Sequence, residues 1–363
     1  MKDVAERCGV AESTISHVVN QTRFVSPETR RQVLQAMREL NYHANAHARR
    51  LARGRSDFVG LIISDIENPF FPGLIKGFES AALEHGFDLL LCTTNYDPER
   101  TRGAFRKMVE NKVPGVAVMT SRVDRSLADV LITNRIPSVF LDAEPARVFK
   151  SNIRMNYAKG ACQAIAYLYN LGHRNFYLIA GPQNRPSHHA LRNAVEHALY
   201  ERGIPYRGAE GENREESGAI LAHSLLSEGS FPSAILCSND LTAIGLMNEL
   251  ANAGLRVPDD VSVVGADDIR FARLTCPPLT TIRIPKEELG RLAFSILEEM
   301  IPRSRPAGTD RTIDTELIIR GSTGPPGEAA ANLTVGKGVW VRSSARGVQP
   351  LAQHVPSKTD GNA

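Results

Sequence analysis

Six short polar or charged side chains crowd into nine residues near the start of the chain: Glu12, Ser13, Thr14, Ser16, His17 and Asn20. At the beginning of a helix, side chains of this length reach base edges in the major groove of double-stranded DNA, or the phosphates beside them. Glu12, Ser13, Thr14 and His17 fall where base edges come within reach, and Ser16 and Asn20 fall nearer the phosphates. Ser13 serves equally well as a plain helix cap. Charge favours the first reading. Residues 1–56 hold ten Lys/Arg against five Asp/Glu, whereas the whole chain carries only +3, so the remainder is mildly acidic. A basic head on an acidic body fits a chain that meets a polyanion at one end, because phosphate contacts supply most of the sequence-independent affinity. Further on, Leu51 stands alone among arginines in the stretch 45–56, where an apolar side chain either wedges into a minor groove or packs on the body.

The chemistry that is missing is equally informative. There is no G-x-S-x-G elbow, no H-E-x-x-H, no P-loop and no G-x-G-x-x-G after a strand, so no enzymatic activity is expected. His188 and His189 are the one adjacent histidine pair, and neighbours on a helix point apart, which argues against a metal site there. Cys8, Cys92, Cys162, Cys237 and Cys276 are scattered and odd in number, which fits a reducing cytoplasm rather than a disulfide framework or a zinc site. No cofactor is expected.

Side chains of this kind must be presented by helices, and the head is punctuated for three. Val4, Ala5 and Cys8 share one face of a first helix that Gly9 can end. A second helix fits 13–19, with Ile15, Val18 and Val19 turned inward. Ser26-Pro27 is a cap followed by proline at the first helical position, opening a third helix to about Leu40 along the stripe Val33, Met37, Leu40. Two short helices across a tight turn, braced by a third, predict a helix-turn-helix. Residues 45–56 are too short and polar to hold a helix unaided, so they should be disordered unless something orders them.

From Phe58 the texture becomes α/β. Apolar strand-like runs at 59–63, 87–92, 116–119, 138–141, 176–180, 234–237, 261–265 and 312–319 alternate with amphipathic stretches at 73–85, 100–111, 157–171, 189–202, 241–253 and 286–300. That alternation predicts parallel sheets covered on both faces. The 363-residue length exceeds one compact core, so two α/β subdomains are expected. No apolar run reaches eighteen residues, so no membrane helix is expected, and the charged start MKDVAERCG does not read as a secretory signal. Beyond Pro325 the chain is rich in Gly, Pro, Ser and Ala with little periodicity, and it reads as a disordered tail.

The stretch KDVAERCGVAESTISHVVNQTRFVSPETRRQVLQAMRELNY closely resembles the head of the lactose/galactose-repressor (LacI/GalR) family of bacterial transcriptional regulators. RLARGRS resembles that family's hinge, and ENPFF, LGHRNFYLIAGP, CSNDLTAIG, GLRVPDDVSVVGADD, PPLTTIRIP and LIIRGST resemble its effector-binding body. The resemblance runs in order from Lys2 to about Thr323. It implies a helix-turn-helix domain at 1–45, a hinge at 46–57 and a periplasmic-binding-protein-like body at 58–323. The body would divide into one subdomain of 58–153 with 284–323 and another of 154–283, leaving a tail at 324–363. It also implies a homodimer on a near-palindromic operator, controlled by a small-molecule effector such as a sugar or sugar derivative. The DNA contacts it implies are Ser13, Thr14 and His17, with Glu12 where a small polar residue is usual, and Arg23. Leu51 matches the hinge leucine that enters the operator, with Ala52 beside it.

In the body, the resemblance implies an effector cleft lined by Phe70, Phe71, Asp142, Arg185, Ser187, Asn239 and Asp267. Carboxylate and amide groups would bind hydroxyls while the aromatic pair covers an apolar face. Two positions depart from the family. Leu191 stands where an arginine is usual, with Arg192 displaced by one residue, and Met155 stands where a carboxylate is usual. Either Arg192 swings into the cleft or the effector is less polar than a free sugar. The family also has a few residues, including a helix cap, before the position that Met1 holds, so a start slightly upstream is expected. A regulator answering to a phosphoprotein corepressor and a transport-type sugar receptor are the rival readings; the basic head and the absence of a leader sequence argue against the second.

Overall fold

The computed structural model describes residues 1–20, 23–42, 56–120, 123–183, 186–227, 231–327, 333–336, 339–344 and 347–350. Three helices form the head: α1 (Lys2–Cys8), α2 (Glu12–Asn20) and α3 (Pro27–Glu39). Gly9, at φ 64°, ends α1 in the left-handed conformation that glycine adopts without steric cost. Met1 precedes α1 without a side-chain cap bond. The Ser26 hydroxyl accepts from the Thr29 N–H at 3.2 Å, and Pro27 fills the first turn, as the Ser-Pro pair predicted. Val4, Ile15 and Val33, one from each helix, are fully buried together with Ala5, Val18 and Ala36. That small core holds the helix-turn-helix in shape.

The body follows as β1 (Phe58–Ile63), α4 (Phe70–Glu84), β2 (Asp88–Thr93), α5 (Pro98–Glu110), β3 (Val116–Met119), α6 (Arg125–Thr133), β4 (Ser138–Leu141), β5 (Lys150–Asn156), α7 (Tyr157–Asn170), β6 (Phe176–Ala180), α8 (Pro186–Tyr200), β7 (Tyr206–Glu210), α9 (Glu215–Ser227), β8 (Ala234–Cys237), α10 (Asp240–Asn252), β9 (Ser262–Asp267), a 3-10 turn (Arg270–Arg273), β10 (Thr280–Arg283), α11 (Lys286–Met300), β11 (Asp310–Asp314) and β12 (Glu316–Ile318). The first sheet has the order β11-β5-β4-β3-β1-β2 and is parallel throughout. The second has the order β12-β10-β9-β8-β6-β7 and is parallel except for β12, which runs antiparallel to β10. Two such sheets, each built from β-α-β units, are the α/β architecture that the strand and helix alternation predicted.

The chain changes sheet three times, where two changes were expected. It leaves the first sheet after β5, returns between β10 and α11, and leaves again between β11 and β12. The run 312–319 was therefore not one strand. Thr315, fully buried at the break, donates to the Asn156 carbonyl at 2.8 Å and accepts from the Gly160 N–H at 3.1 Å, pinning the third crossing to the first. Residues 316–318 pair with β10, so they belong with the second sheet and not with the subdomain of 58–153 to which 284–323 was assigned. The alternation of Thr-Ile-Asp-Thr-Glu-Leu carries no mark of the change, because both halves are equally strand-like.

Strands β5, β7 and β10 and helices α6 and α9 were not anticipated. Strand β5 reads Lys-Ser-Asn-Ile-Arg-Met-Asn, too polar to suggest a strand, yet Lys150, Ser151 and Asn152 are buried in it. Where α4 crosses α11, Gly77 and Gly290 face backbone: a Cβ would fall 2.1 Å from the Glu287 carbonyl at the first position and 2.1 Å from the Leu74 carbonyl at the second. The helices touch there at a distance that only glycine permits. The segment read as a tail without structure holds three strands, β13 (Leu333–Gly336), β14 (Val339–Ser344) and β15 (Gly347–Pro350), paired antiparallel. The strands are only four to six residues long and valines alternate in β14 alone, at Val339 and Val341, too short a pattern to stand out from the surrounding Gly and Ser.

Candidate functional site

On α2, Ile15 and Val18 face the head's core, so the other side of the helix is left to solvent. Glu12, Ser13 and Arg23 are exposed, and Thr14, Ser16 and His17 are half-buried along the flank of α2. Helix α2 begins at Glu12 because the Ala11 carbonyl accepts from the Thr14 N–H at 2.9 Å, which places Glu12, Ser13 and Thr14 in its first turn, where a recognition helix meets base edges. Asn20 closes the helix. Leu51 and Ala52 lie outside the described residues.

In the body, a cavity opens between the two sheets at the carboxyl ends of their strands, where open α/β sheets place ligands. Its wall is mostly apolar. Phe70 and Phe71, at the first turn of α4, pack edge to face with centroids 5.2 Å apart, and Met119, Leu141, Met155, Tyr157, Leu191 and Ile284 complete the lining. The Asn68 carboxamide accepts from the Phe70 N–H at 2.9 Å and so fixes the aromatic pair at the cavity edge. Polar atoms come from Ser64, Asn68, Tyr96, His188, Asn213, Ser238 and Asp267.

Asp267 ends β9 at φ 105°, followed by Asp268 at φ 51°, a conformation costly for residues that carry a side chain. Lys286 holds the kink by donating to the Asp267 carbonyl and, at 2.7 Å, to the Asp268 carbonyl. Asp268 is anchored in turn by Arg283 at 2.9 Å and by Arg320. Burial pushes the Asp267 carboxyl up to about 7, against the pull of Lys286. Beneath it, buried Asp240 accepts from the Thr281 hydroxyl at 2.6 Å and the Ile269 N–H at 2.7 Å. Burial and the Asp267 charge hold Asp240 well above the ordinary carboxylate range.

The expected effector residues fall in different places. Phe70, Phe71 and Asp267 meet at the cavity. Asp142 and Asn239 stand one residue behind its wall. Asp142, at φ 48°, accepts from the Met155 N–H at 2.8 Å and the Tyr157 hydroxyl at 3.2 Å, so it orients two lining residues; burial raises it to about 6. Asn239 caps α10 through the Thr242 N–H at 3.0 Å and donates to the Asn213 carbonyl at 3.2 Å. Arg192 is a correction: it does not line this cavity but is held by Glu196 at 2.8 Å and Glu210 at 3.2 Å. Leu191 takes the cavity wall instead, because one residue along a helix turns a side chain by about 100°. Ser187 lies on α8, and Arg185 lies outside the described residues.

Sequence reasoning overlooked a polar trio on the second sheet's side of the cavity. The Ser238 hydroxyl donates to the Asn213 carboxamide oxygen at 2.9 Å, and the Asn213 Nδ2 lies 2.8 Å from His188 Nε2. Ser238 adjoins a strand end, a signal that could have been used. Asn213 sits in a loop between an unexpected strand and an unexpected helix, where nothing marked it. A cavity of this kind can stack a flat or apolar face on the Phe pair and hydrogen-bond an edge to Asp267 and the trio.

Residues 1–45 match the family described as bacterial regulatory proteins, lacI family, and residues 165–323 match the periplasmic binding protein-like domain. The chain is similar to an HTH-type transcriptional repressor PurR of Photobacterium profundum, 34% identical over 326 residues that cover 89% of this chain and 98% of that one. The PurR repressor of Haemophilus influenzae is 35% identical over 330 residues, covering 89% and 98%. Among solved structures, the lac repressor dimer bound to operator and the anti-inducer ONPF superposes with a TM-score of 0.80 at 29% identity, covering 89% of this chain and 98% of that one. A complex of the transcriptional regulator CelR with cellobiose superposes with a TM-score of 0.68 at 28% identity, covering 88% and 98%.

Proposed function

The chain belongs to the lacI family of bacterial regulatory proteins, and we propose that it represses transcription through α2 and its hinge while the cavity between the two sheets sets its operator affinity. It is a DNA-binding transcriptional repressor and not an enzyme; it acts as a dimer and responds to a small molecule. A transport-type receptor is not favoured, because the relatives it matches along nearly their whole length are repressors, and a phosphoprotein-controlled regulator is not favoured, because the solved neighbours carry small molecules such as ONPF and cellobiose.

The observation that carries the reading is the cavity itself. Phe70 and Phe71 come from the first subdomain and Asp267 from the second, and the chain passes between the two sheets three times beside it. A ligand touching both walls binds the closed arrangement better than the open one, and that difference in affinity is what shifts the equilibrium. Glu12, Ser13, Thr14 and His17 serve base readout, Ser16, Asn20 and Arg23 the flanking phosphates, and Leu51 with Ala52 the centre of a near-palindromic operator. The ligand is a sugar or a less polar relative of one. No described helix is long and apolar enough to cross a membrane, and we assign the protein to the cytoplasm, on the nucleoid when bound to its operator.

Deleting residues 1–57 tests this assignment. The body should keep its cooperative melt and lose specific retardation of an operator duplex, whereas the full chain should lose affinity steeply with salt as lysines and arginines displace counterions. Retained operator binding by the deleted protein, or a flat salt response of the full chain, refutes it.

A further inference from the structure

Charge is distributed unevenly around the cleft. No lysine or arginine is found among the described residues lining the cavity, where Asp267 is the one acidic group. Outward from the cavity, and sharing Asn68, Tyr96 and Asn213 with it, lies a wider mouth lined by Asp65 and Glu67 from the first subdomain and by Glu212, Glu215 and Glu216 from the second. Arg214 is the single basic residue among its described lining. No ion pair among the described residues neutralises Asp65, Glu67, Glu215 or Glu216. Two basic side chains near the cleft are engaged elsewhere: Arg192 with Glu196 and Glu210, and Lys286 with the carbonyls of Asp267 and Asp268. Acidic walls facing each other across a crevice focus a negative potential into it, raising the local concentration of cations and lowering that of anions. Closing the cleft also brings like charges together, a cost that a positively charged ligand offsets and an anion increases.

On the reading of this cleft as the effector site, we propose that its ligand is a neutral or positively charged compound, with an apolar or flat body for the Phe70–Phe71 wall and a hydrogen-bond donor for Asp267, and that the acidic mouth excludes phosphate esters and carboxylates. Glu67 and Glu215, one from each wall, are the specificity-determining residues for charge. An amine on the ligand forms a charge-assisted hydrogen bond with the Asp267 carboxylate, which has no side-chain partner among the described residues, and the bond is stronger than a hydroxyl would make.

Two measurements on the full chain test this. In the first, Trp340, the only tryptophan, is replaced by phenylalanine and a reporter is placed at the mouth as Tyr96→Trp or, in a separate protein, as Phe271→Trp. Quenching by caesium and by iodide is compared at low ionic strength. Relative to free tryptophan, caesium should be favoured by about threefold or more, and the preference should fall away near 0.5 M added salt (roughly) and in the Glu67→Gln/Glu215→Gln protein. Equal quenching by the two ions, at either reporter in a protein that melts as the parent does, overturns the proposal. In the second, operator affinity is measured with benzylamine, benzyl alcohol and benzoate, and with glucosamine, glucose and glucose 6-phosphate. An amine or neutral compound should act at lower concentration than its anionic partner. An anion acting at the lowest concentration of its set overturns the charge filter and leaves the effector reading standing. If the quenchers sort by charge and none of the six compounds moves the operator equilibrium, the filter stands and the effector reading is the one weakened.

Discussion

At the scale of single residues, Asp267 and Arg192 make opposite predictions. Asp267 presents an acceptor to the cavity, and Asp267→Asn replaces one acceptor oxygen with a donating NH2. A ligand hydroxyl or amine that relied on the carboxylate loses its partner, at a cost of about 1–3 kcal/mol, or roughly ten- to a hundredfold in ligand affinity. Titration calorimetry on the isolated repressor reads this directly. Because burial raises the carboxyl to about 7, such a ligand should bind the ionised form, so affinity rises as pH rises through about 7 and levels off above it. The rise should vanish in Asp267→Asn; a variant that keeps it places the titration on another group. Arg192→Ala removes ion pairs to Glu196 and Glu210 on a partly exposed face. It should cost no more than about 1 kcal/mol of stability and leave ligand affinity unchanged. A loss of binding as large as that of Asp267→Asn means that Arg192 leaves those carboxylates when ligand arrives.

At the scale of elements, the contact of α4 with α11 joins the cavity edge to the core. The first turn of α4 carries Phe70 and Phe71, and its middle rests on α11 at Gly77 and Gly290. In Gly290→Ala the new Cβ would lie 2.1 Å from the Leu74 carbonyl, so the helices must separate. The overpacking should cost about 1–3 kcal/mol, and the melting temperature should fall by roughly 2–10 °C. Ligand affinity should fall as well, since moving α4 moves the aromatic pair, while α2 and the head's own core stay as they are. A melting point equal to that of the parent protein would show that the crossing can yield at no cost.

For the whole molecule, effector and operator are coupled through one conformational equilibrium, so their effects must be reciprocal. If saturating ligand changes operator affinity by some factor, saturating operator must change ligand affinity by the same factor, within the usual coupling range of about 1–3 kcal/mol. Anisotropy titrations in both directions check this, and unequal factors exclude a closed two-site cycle. Asp267→Asn should weaken ligand binding yet leave the affinity of the ligand-free protein for operator within about twofold, because its contacts are confined to the cavity and the β9 kink.

How far each part could be read from the chain follows from the range of the forces involved. The head was legible because its determinants are local: Gly9 for a left-handed turn, Ser26-Pro27 for a helix start, and apolar residues at helical spacing that converge on Val4, Ile15 and Val33. The alternation of apolar strands with amphipathic helices likewise declared an α/β body, since burial on both faces leaves its mark within each segment. Helix phase could have placed Leu191 and Arg192 on different faces, but only the packed structure shows which face meets the cavity and that Glu196 and Glu210 hold the arginine away from it. The third crossing at Thr315 was invisible for the same reason: strand β12 is assigned to its sheet by hydrogen bonds to β10, more than thirty residues earlier in the chain. The acidic mouth is assembled from residues near 65 and near 215, whose charges act together only because two sheets bring them to one crevice. Local hydrogen bonding and periodicity are written along the chain, whereas the sharing of a cavity by distant side chains is decided by tertiary packing alone.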